Sequence, residues 1–345
     1  MTHRSTRKRH PGAFRFAIML FQIILYIPVQ ILFIPIAVIG IIIGIYKEFG
    51  GSKKLGVSFS AGQVLQSRWF MHYFDTRPDP LTVAFTKKFP CESHLCLWSI
   101  MGALIISQRL FGFATRLATV AEPEEADLAA TSGSRMITFD RIMEKYVDEV
   151  EQIVLPGAGF DLITLLYTKG RKMKVFELDQ VKTLQVKVET LKKAGIEHDW
   201  IHFIPVDYNK ESWIDKLLEA GFDPTKKTLF LWQSVSLYLE ADVVKETLRG
   251  MADLCADGSV IVQDLYSESY IRGEYSFLAK RNMRLIEKMG EPVKFGIDMS
   301  NKPKAEVDSF LQECGLRMTN YIQFGEKLGI EPFYCIVEAE KLPIA

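Results

Sequence analysis

The chain has 345 residues, 48% hydrophobic and 12% aromatic, which excludes a disordered protein and leaves room for a sizeable core. Its 42 Lys plus Arg balance 42 Asp plus Glu, so no global basic excess points to nucleic acid. Five cysteines without a C-x-x-C pair argue for a reducing compartment. No metal site is expected either: His198 and His202 are four apart, but His202 enters a strand-like run, where that spacing does not bring two ligands together.

Residues 1–13 form a basic tail carrying Arg4, Arg7, Lys8 and Arg9. Residues 14–46 are apolar apart from Arg15, Gln22, Gln30 and the glycines and prolines, and read as a membrane segment. As one helix it would run about 50 Å against a hydrocarbon core of about 30 Å. Pro28 and Pro35 sit centrally and basic residues flank both ends, so two arrangements stand side by side: a re-entrant hairpin with both flanks in the cytoplasm, or a single signal-anchor span. The apolar run is too long for the core of a cleaved signal peptide. The rest of the chain is expected on the cytoplasmic side.

Residues 47–56, with Gly50-Gly51-Ser52-Lys53-Lys54, read as a flexible basic linker, and a soluble domain is expected over 57–345. Its first part, 57–150, is helical, with helices over 60–75 and 94–118; the apolar run Leu95 to Ser107 suits a core helix better than a span. From 151 to 345 the pattern becomes α/β. Strand-like runs at 151–155, 174–178, 201–206, 228–232 and 258–263 alternate with helical stretches at 161–169, 180–194, 209–220, 240–254 and 272–289, which predicts a doubly wound, mainly parallel sheet. Two last runs, 316–323 and 332–338, predict an antiparallel hairpin at one edge and bring the sheet to seven strands.

The first strand runs into Pro156-Gly157-Ala158-Gly159-Phe160-Asp161, a tight turn before a helix, where ligands of open α/β sheets sit. A dinucleotide fingerprint would need a third glycine where Leu162 stands, and Asp161 at the helix start would repel a pyrophosphate. S-adenosylmethionine suits the turn better, because its amino and sulfonium groups are cationic and it carries no phosphate. Glu177 and Asp179 end the second strand; Asp179 lies where an acid reaches ribose hydroxyls. Asp207 follows the third strand, placed to take the adenine amino group, with Tyr208 beside the ring.

In this order Ser134-Arg135-Met-Ile-Thr-Phe139-Asp140, Leu155-Pro-Gly-Ala-Gly-Phe-Asp161, Phe176-Glu-Leu-Asp179, Pro205-Val-Asp-Tyr208, Leu231-Trp-Gln-Ser-Val-Ser-Leu-Tyr238 and Gly290-Glu-Pro-Val-Lys-Phe-Gly-Ile-Asp298 resemble the leucine carboxyl methyltransferase family. Arg68 and Arg77-Pro-Asp-Pro-Leu81 resemble its helical lid, and the resemblance covers roughly 57 to 340 but not the membrane segment. It implies a class I, Rossmann-like methyltransferase fold with a helical N-terminal extension over S-adenosylmethionine. It assigns Arg135, with Arg68 as a second candidate, to the carboxylate of the cofactor's methionine part, and Gly157 and Gly159 to close backbone approach. Asp179 takes the ribose, Asp207 the adenine.

Two features depart from the family. Gln233 stands where a glutamate is common beside the methionine ammonium, and it offers a hydrogen bond but no charge. Pro156 and Leu162 replace a leucine and a threonine. The expected chemistry is methylation of a carboxyl or hydroxyl on a small-molecule, lipid-like or membrane-associated acceptor, a protein C-terminal carboxylate included. Methyl transfer from a sulfonium needs alignment more than acid–base work, and Tyr238 is the one catalytic candidate. The alternative is a membrane-anchored binding module that keeps the fold without the activity.

Overall fold

The structure, a computed structural model, describes residues 12–343 apart from 114, 116–118 and 209. Helix α1 (Gly12–Ile45) is uninterrupted although Pro28 and Pro35 lie inside it, so the chain does not turn back on itself there. It runs on through a π-helical turn (Tyr46–Gly50) into α2 (Gly51–Leu55). The stretch expected to be a flexible linker is therefore helical up to Gly56, whose φ of +65° ends the helix. The physical reason is close packing: a Cβ on Gly51 would lie 3.3 Å from the Cys91 Cα, so that glycine marks a helix contact rather than a hinge.

Four more α-helices precede the sheet: α3 (Phe59–Tyr73), α4 (Pro80–Thr86), α5 (His94–Phe111) and α6 (Thr131–Tyr146). Ser58, Asp79 and Ser93 cap the first three with side-chain oxygens on the third backbone N–H beyond. Helix α5 stops at Gly112 (φ +72°), short of the predicted 118. Its outer side is open, with Leu95 78% and Leu110 73% exposed, so it is less a core helix than its sequence suggests.

The α/β part follows as β1 (Gln152–Pro156), α7 (Ile163–Thr168), β2 (Lys174–Asp179), α8 (Val181–Ala194), β3 (Ile201–Pro205), α9 (Trp213–Glu219), β4 (Thr228–Trp232), α10 (Ala241–Leu254) and β5 (Val260–Tyr266). After a short α11 (Glu268–Ile271), the helix predicted over 272–289 starts late, as α12 (Phe277–Lys288), because Gly273 takes a positive φ and Ser276 caps the new start. Helix α13 (Pro303–Glu313) leads into β6 (Leu316–Gln323) and β7 (Tyr334–Lys341).

The seven strands are ordered β3-β2-β1-β4-β5-β7-β6, parallel except for β7, which runs antiparallel to both β5 and β6. This is the doubly wound, mainly parallel seven-stranded sheet, with the helical N-terminal extension, that the family resemblance implies. Alternation along β1 sends Ile153 and Leu155 into one buried layer and Val154 into the other, which is why the strand reads as continuously apolar. The order reverses between β1 and β4, and a crevice opens there beyond the strand ends.

Candidate functional site

Strand β1 ends at Pro156, where the missing N–H costs nothing, and the chain turns through Gly157 (φ +71°) and Gly159 (φ +47°). The Gly157 N–H donates to the Leu178 carbonyl at 2.7 Å, which fixes the turn against β2. A Cβ on Gly157 would stand 2.3 Å from Val235 Cγ2, so only glycine fits. The turn floors a cavity of about 1090 Å³, walled by Phe49, Ser52 and Lys53, by the start of α3, by the loop after β4 and by residues 283–294.

Of the residues singled out in sequence, Arg135, Gly157, Gly159, Asp161, Asp179, Asp207, Tyr208, Gln233 and Tyr238 all line this cavity. Asp179 accepts from the Gly159 N–H at 2.7 Å and, through its other oxygen, from the Gln180 N–H at 2.7 Å. Burial nevertheless pushes its carboxyl above the ordinary range, against the pull of those two donors. Asp207 sits at the rim, 2.8 Å from Lys210. The Gln233 Nε2 is buried without a hydrogen-bond partner, and burial raises the Tyr208 phenol pKa against a contact with the Gly157 backbone.

Arg135 donates to Ser234 Oγ and lies 3.5 Å from Asp264. Burial opposes its charge, but Tyr334, Tyr266 and Asp264 outweigh that and hold the guanidinium protonated more firmly than usual. Asp264 is a hub that sequence reading missed. It accepts from the Ser234 N–H at 2.6 Å, the Ser234 hydroxyl at 2.9 Å and the Tyr334 hydroxyl at 2.9 Å, and so fixes the loop that carries Gln233. The signal was there: Gln263-Asp264 is a polar pair inside an otherwise apolar buried strand. Glu291 was also missed. Its carboxylate takes the N–H groups of Phe59 (2.6 Å) and Ser60 (3.2 Å), latching the first turn of α3 over the cavity.

Two candidates sit elsewhere. Glu177 is fully buried, bonded to Thr164 and, at 2.5 Å, to Lys187. It lies one pleat below Asp179 on the same face, under α7 and α8 rather than at the crevice. Arg68 is 1% exposed and meets Asp161 at 2.8 Å and Asp79 at 3.9 Å, so it neutralises the acid of the glycine turn and ties the lid to the core. Asp161 also caps α7 through the Ile163 N–H at 2.8 Å. Tyr238 lines the wall, its phenol pKa pushed up by burial and by Glu291 against a hydrogen bond with Ser60.

The chain is 29% identical over 181 residues to YktD of Bacillus subtilis strain 168, assigned as an S-adenosyl-L-methionine-dependent methyltransferase; the match covers 50% of this chain and 56% of that protein. A likewise assigned protein of Mycolicibacterium paratuberculosis is 31% identical over 135 residues, covering 38% of this chain and 44% of its own. The chain thus spans about half the length of these relatives. Among solved structures, the mitomycin 7-O-methyltransferase MmcR matches at 16% identity with a TM-score of 0.41, covering 62% of this chain and 56% of its own. Residues 101–252 match the leucine carboxyl methyltransferase family.

Proposed function

We propose that the chain is an S-adenosylmethionine-dependent O-methyltransferase, held to a membrane by α1, whose acceptor is a carboxyl or hydroxyl on a hydrophobic or membrane-associated molecule. One observation carries the reading: the cradle at the β1 turn. Its floor crowds any side chain at Gly157, an acid clamps Gly159 from β2, and the buried Gln233 Nε2, which also lines the cavity, lacks a partner. Buried polar groups are normally paired, so an unpaired amide facing the cavity fits a polar ligand. The names of the relatives support the same cofactor.

When bound, the cofactor supplies an activated methyl on a sulfonium. Asp179 would hold the ribose, Asp207 the adenine, Arg135 the methionine carboxylate and Gln233, through its amide oxygen, the methionine ammonium, with Nε2 left to donate to another ligand oxygen. The chain itself orients and excludes water, through the Glu291 latch that closes α3 over the site. The carboxylates lining the cavity are all engaged: Asp161 with Arg68, Asp179 with two N–H groups, Asp207 with Lys210, Glu291 with two N–H groups. Tyr238 keeps its proton at neutral pH. A site without a free base suits a carboxylate acceptor, which arrives ionised, better than an alcohol.

Calorimetry on the full chain in detergent tests this. Wild type is expected to bind S-adenosylmethionine, and Gln233→Glu to tighten binding roughly fivefold, about 1 kcal/mol, because a charged acceptor replaces a neutral one. Binding without turnover of any carboxylate amphiphile would favour the binding-module reading, for which the neutral Gln233 speaks. Absence of binding in both proteins would end the enzyme reading.

A further inference from the structure

The one long apolar element that the site leaves unexplained is α1, and it does not stand alone. Helix α5 runs antiparallel along it. A Cβ on Gly51 would touch Cys91, one on Gly44 would lie 3.8 Å from Cys96 Cβ, and one on Gly40 would collide with Ser99. A Cβ on Gly102 would collide with Phe33, and Gln22 Nε2 donates to the Phe111 carbonyl at 3.0 Å. Small residues thus bring the two helices together from one end of α5 to the other, the packing used where lipid rather than water surrounds a helix pair.

The inner face of α5 is taken by the catalytic domain at both ends. The Trp69 indole N–H donates to His94 Nδ1 at 3.0 Å near its start, and Gln108 Nε2 donates to the Phe74 carbonyl at 2.9 Å near its finish. The order is therefore domain, then α5, then α1, with α1 parallel to the domain surface and one helix layer further out. A pair standing upright across a bilayer would drag the polar domain beside it into hydrocarbon. The outer surface is apolar: among the described residues of α1 only Gly40 and Gly44, at the α5 contact, are buried, while Leu32 is 75% exposed and Ile42 64%. Lys47, Lys53 and Lys54 follow α1 in the chain at the end where Gly51 meets Cys91, and Tyr46 stands exposed next to Lys47, a pairing of charge and aromatic that suits anionic headgroups.

We propose that α1 and α5 together form one lipid-facing platform lying in the plane of a bilayer, with α1 in the acyl layer and α5 at its boundary. This rests on the membrane attachment proposed above and replaces a spanning anchor by a monotopic one. Phe49, Ser52 and Lys53 leave the platform and wall the cavity directly, so the acceptor side of the site lies at headgroup level. An amphiphile can reach the site without leaving the membrane surface.

The test uses the full chain on vesicles of phosphatidylcholine with a minor share of phosphatidylserine. The five native cysteines are buried, so a fluorophore on Leu95→Cys, Leu110→Cys, Leu32→Cys or Lys53→Cys reports its own position. Nitroxides on lipid headgroups should quench the Lys53 label, nitroxides near the glycerol the Leu95 and Leu110 labels alike, and deeper ones the Leu32 label. Quenching should about halve each signal and leave a label on Leu218→Cys in α9 unchanged. Protease added outside should remove tags from both termini. If the protein floats with the vesicles but its N-terminal tag is protected, the anchor spans and the platform is wrong. If it floats and the α5 labels stay bright, α1 alone is embedded and the platform is equally wrong. If it does not float, membrane attachment itself falls, and the platform with it, while the cofactor reading stands or falls by its own calorimetry.

Discussion

Replacing Arg77 by alanine should cost about 3–5 kcal/mol of stability, measured as the fall in the urea midpoint at unchanged slope. Arg77 is 4% exposed and forks onto Asp140, with one bond of 2.9 Å, while also bonding Asp79. Asp79 is 1% exposed and its other partners are Arg68 at 3.9 Å and Thr82, whose N–H and hydroxyl donate at 2.9 and 2.8 Å. Removing the guanidinium leaves two carboxylates across a buried gap, with Arg68, 3.9 Å from Asp79 and already paired to Asp161, as the remaining cation near Asp79. The loss is the desolvation of unpaired charge, not the small worth of an exposed ion pair. A double variant, Arg77→Ala with Asp140→Ala, should recover part of it, because it deletes one orphaned charge. A midpoint shift worth less than about 0.5 kcal/mol for the single variant would refute the assignment.

The same network sets a pH dependence. Burial alone would raise the Asp79 pKa, but Arg77, Arg68 and the Thr82 donors outweigh it and depress the value. A carboxyl depressed in the folded state stabilises it above the unfolded pKa of about 3.9, and that contribution is lost as pH falls through the folded value. Wild type should therefore lose stability below about pH 4 more steeply than Asp79→Asn, which has no such proton to bind.

How far the sequence foretold this molecule depends on the range of the interaction. Strand and helix alternation is local and periodic, and the seven strands lie within a few residues of their expected places. The glycine turn and Asp179 were readable for the same reason: a tight turn and an acid at the next strand end are set by chain geometry. Glu177 misled because strand ends look alike in sequence, while one pleat decides whether an acid reaches the crevice or lies under a helix beside Lys187. Arg68 misled because its partner is 93 residues away, and the Glu291 latch bridges 232 and 231 residues to Phe59 and Ser60. No periodicity encodes such pairs. Gly50-Gly51 carried the signature of a linker; its role became visible only with Cys91 packed against it.

Gly157→Ala should weaken cofactor binding by at least about tenfold, a loss of roughly 1.4 kcal/mol or more by calorimetry. Two costs add. At φ +71° a Cβ crowds its own carbonyl, worth about 1–2 kcal/mol, and the turn cannot relax because its N–H is held by Leu178 at 2.7 Å. The new methyl also stands 2.3 Å from Val235 Cγ2 and 3.3 Å from Cγ1, so it must displace the loop that carries Gln233 and Ser234. The two costs separate experimentally. Val235→Ala removes the colliding methyls and leaves the backbone strain, so the double variant should regain part of the affinity but not all of it. Gly159→Ala differs in direction: its Cβ would lie 3.1 Å from Ala61 Cβ and press outward on α3, loosening the lid rather than the floor. It should therefore be the milder variant, and an added methyl at 157 that left binding untouched would mean the cofactor does not rest on this turn.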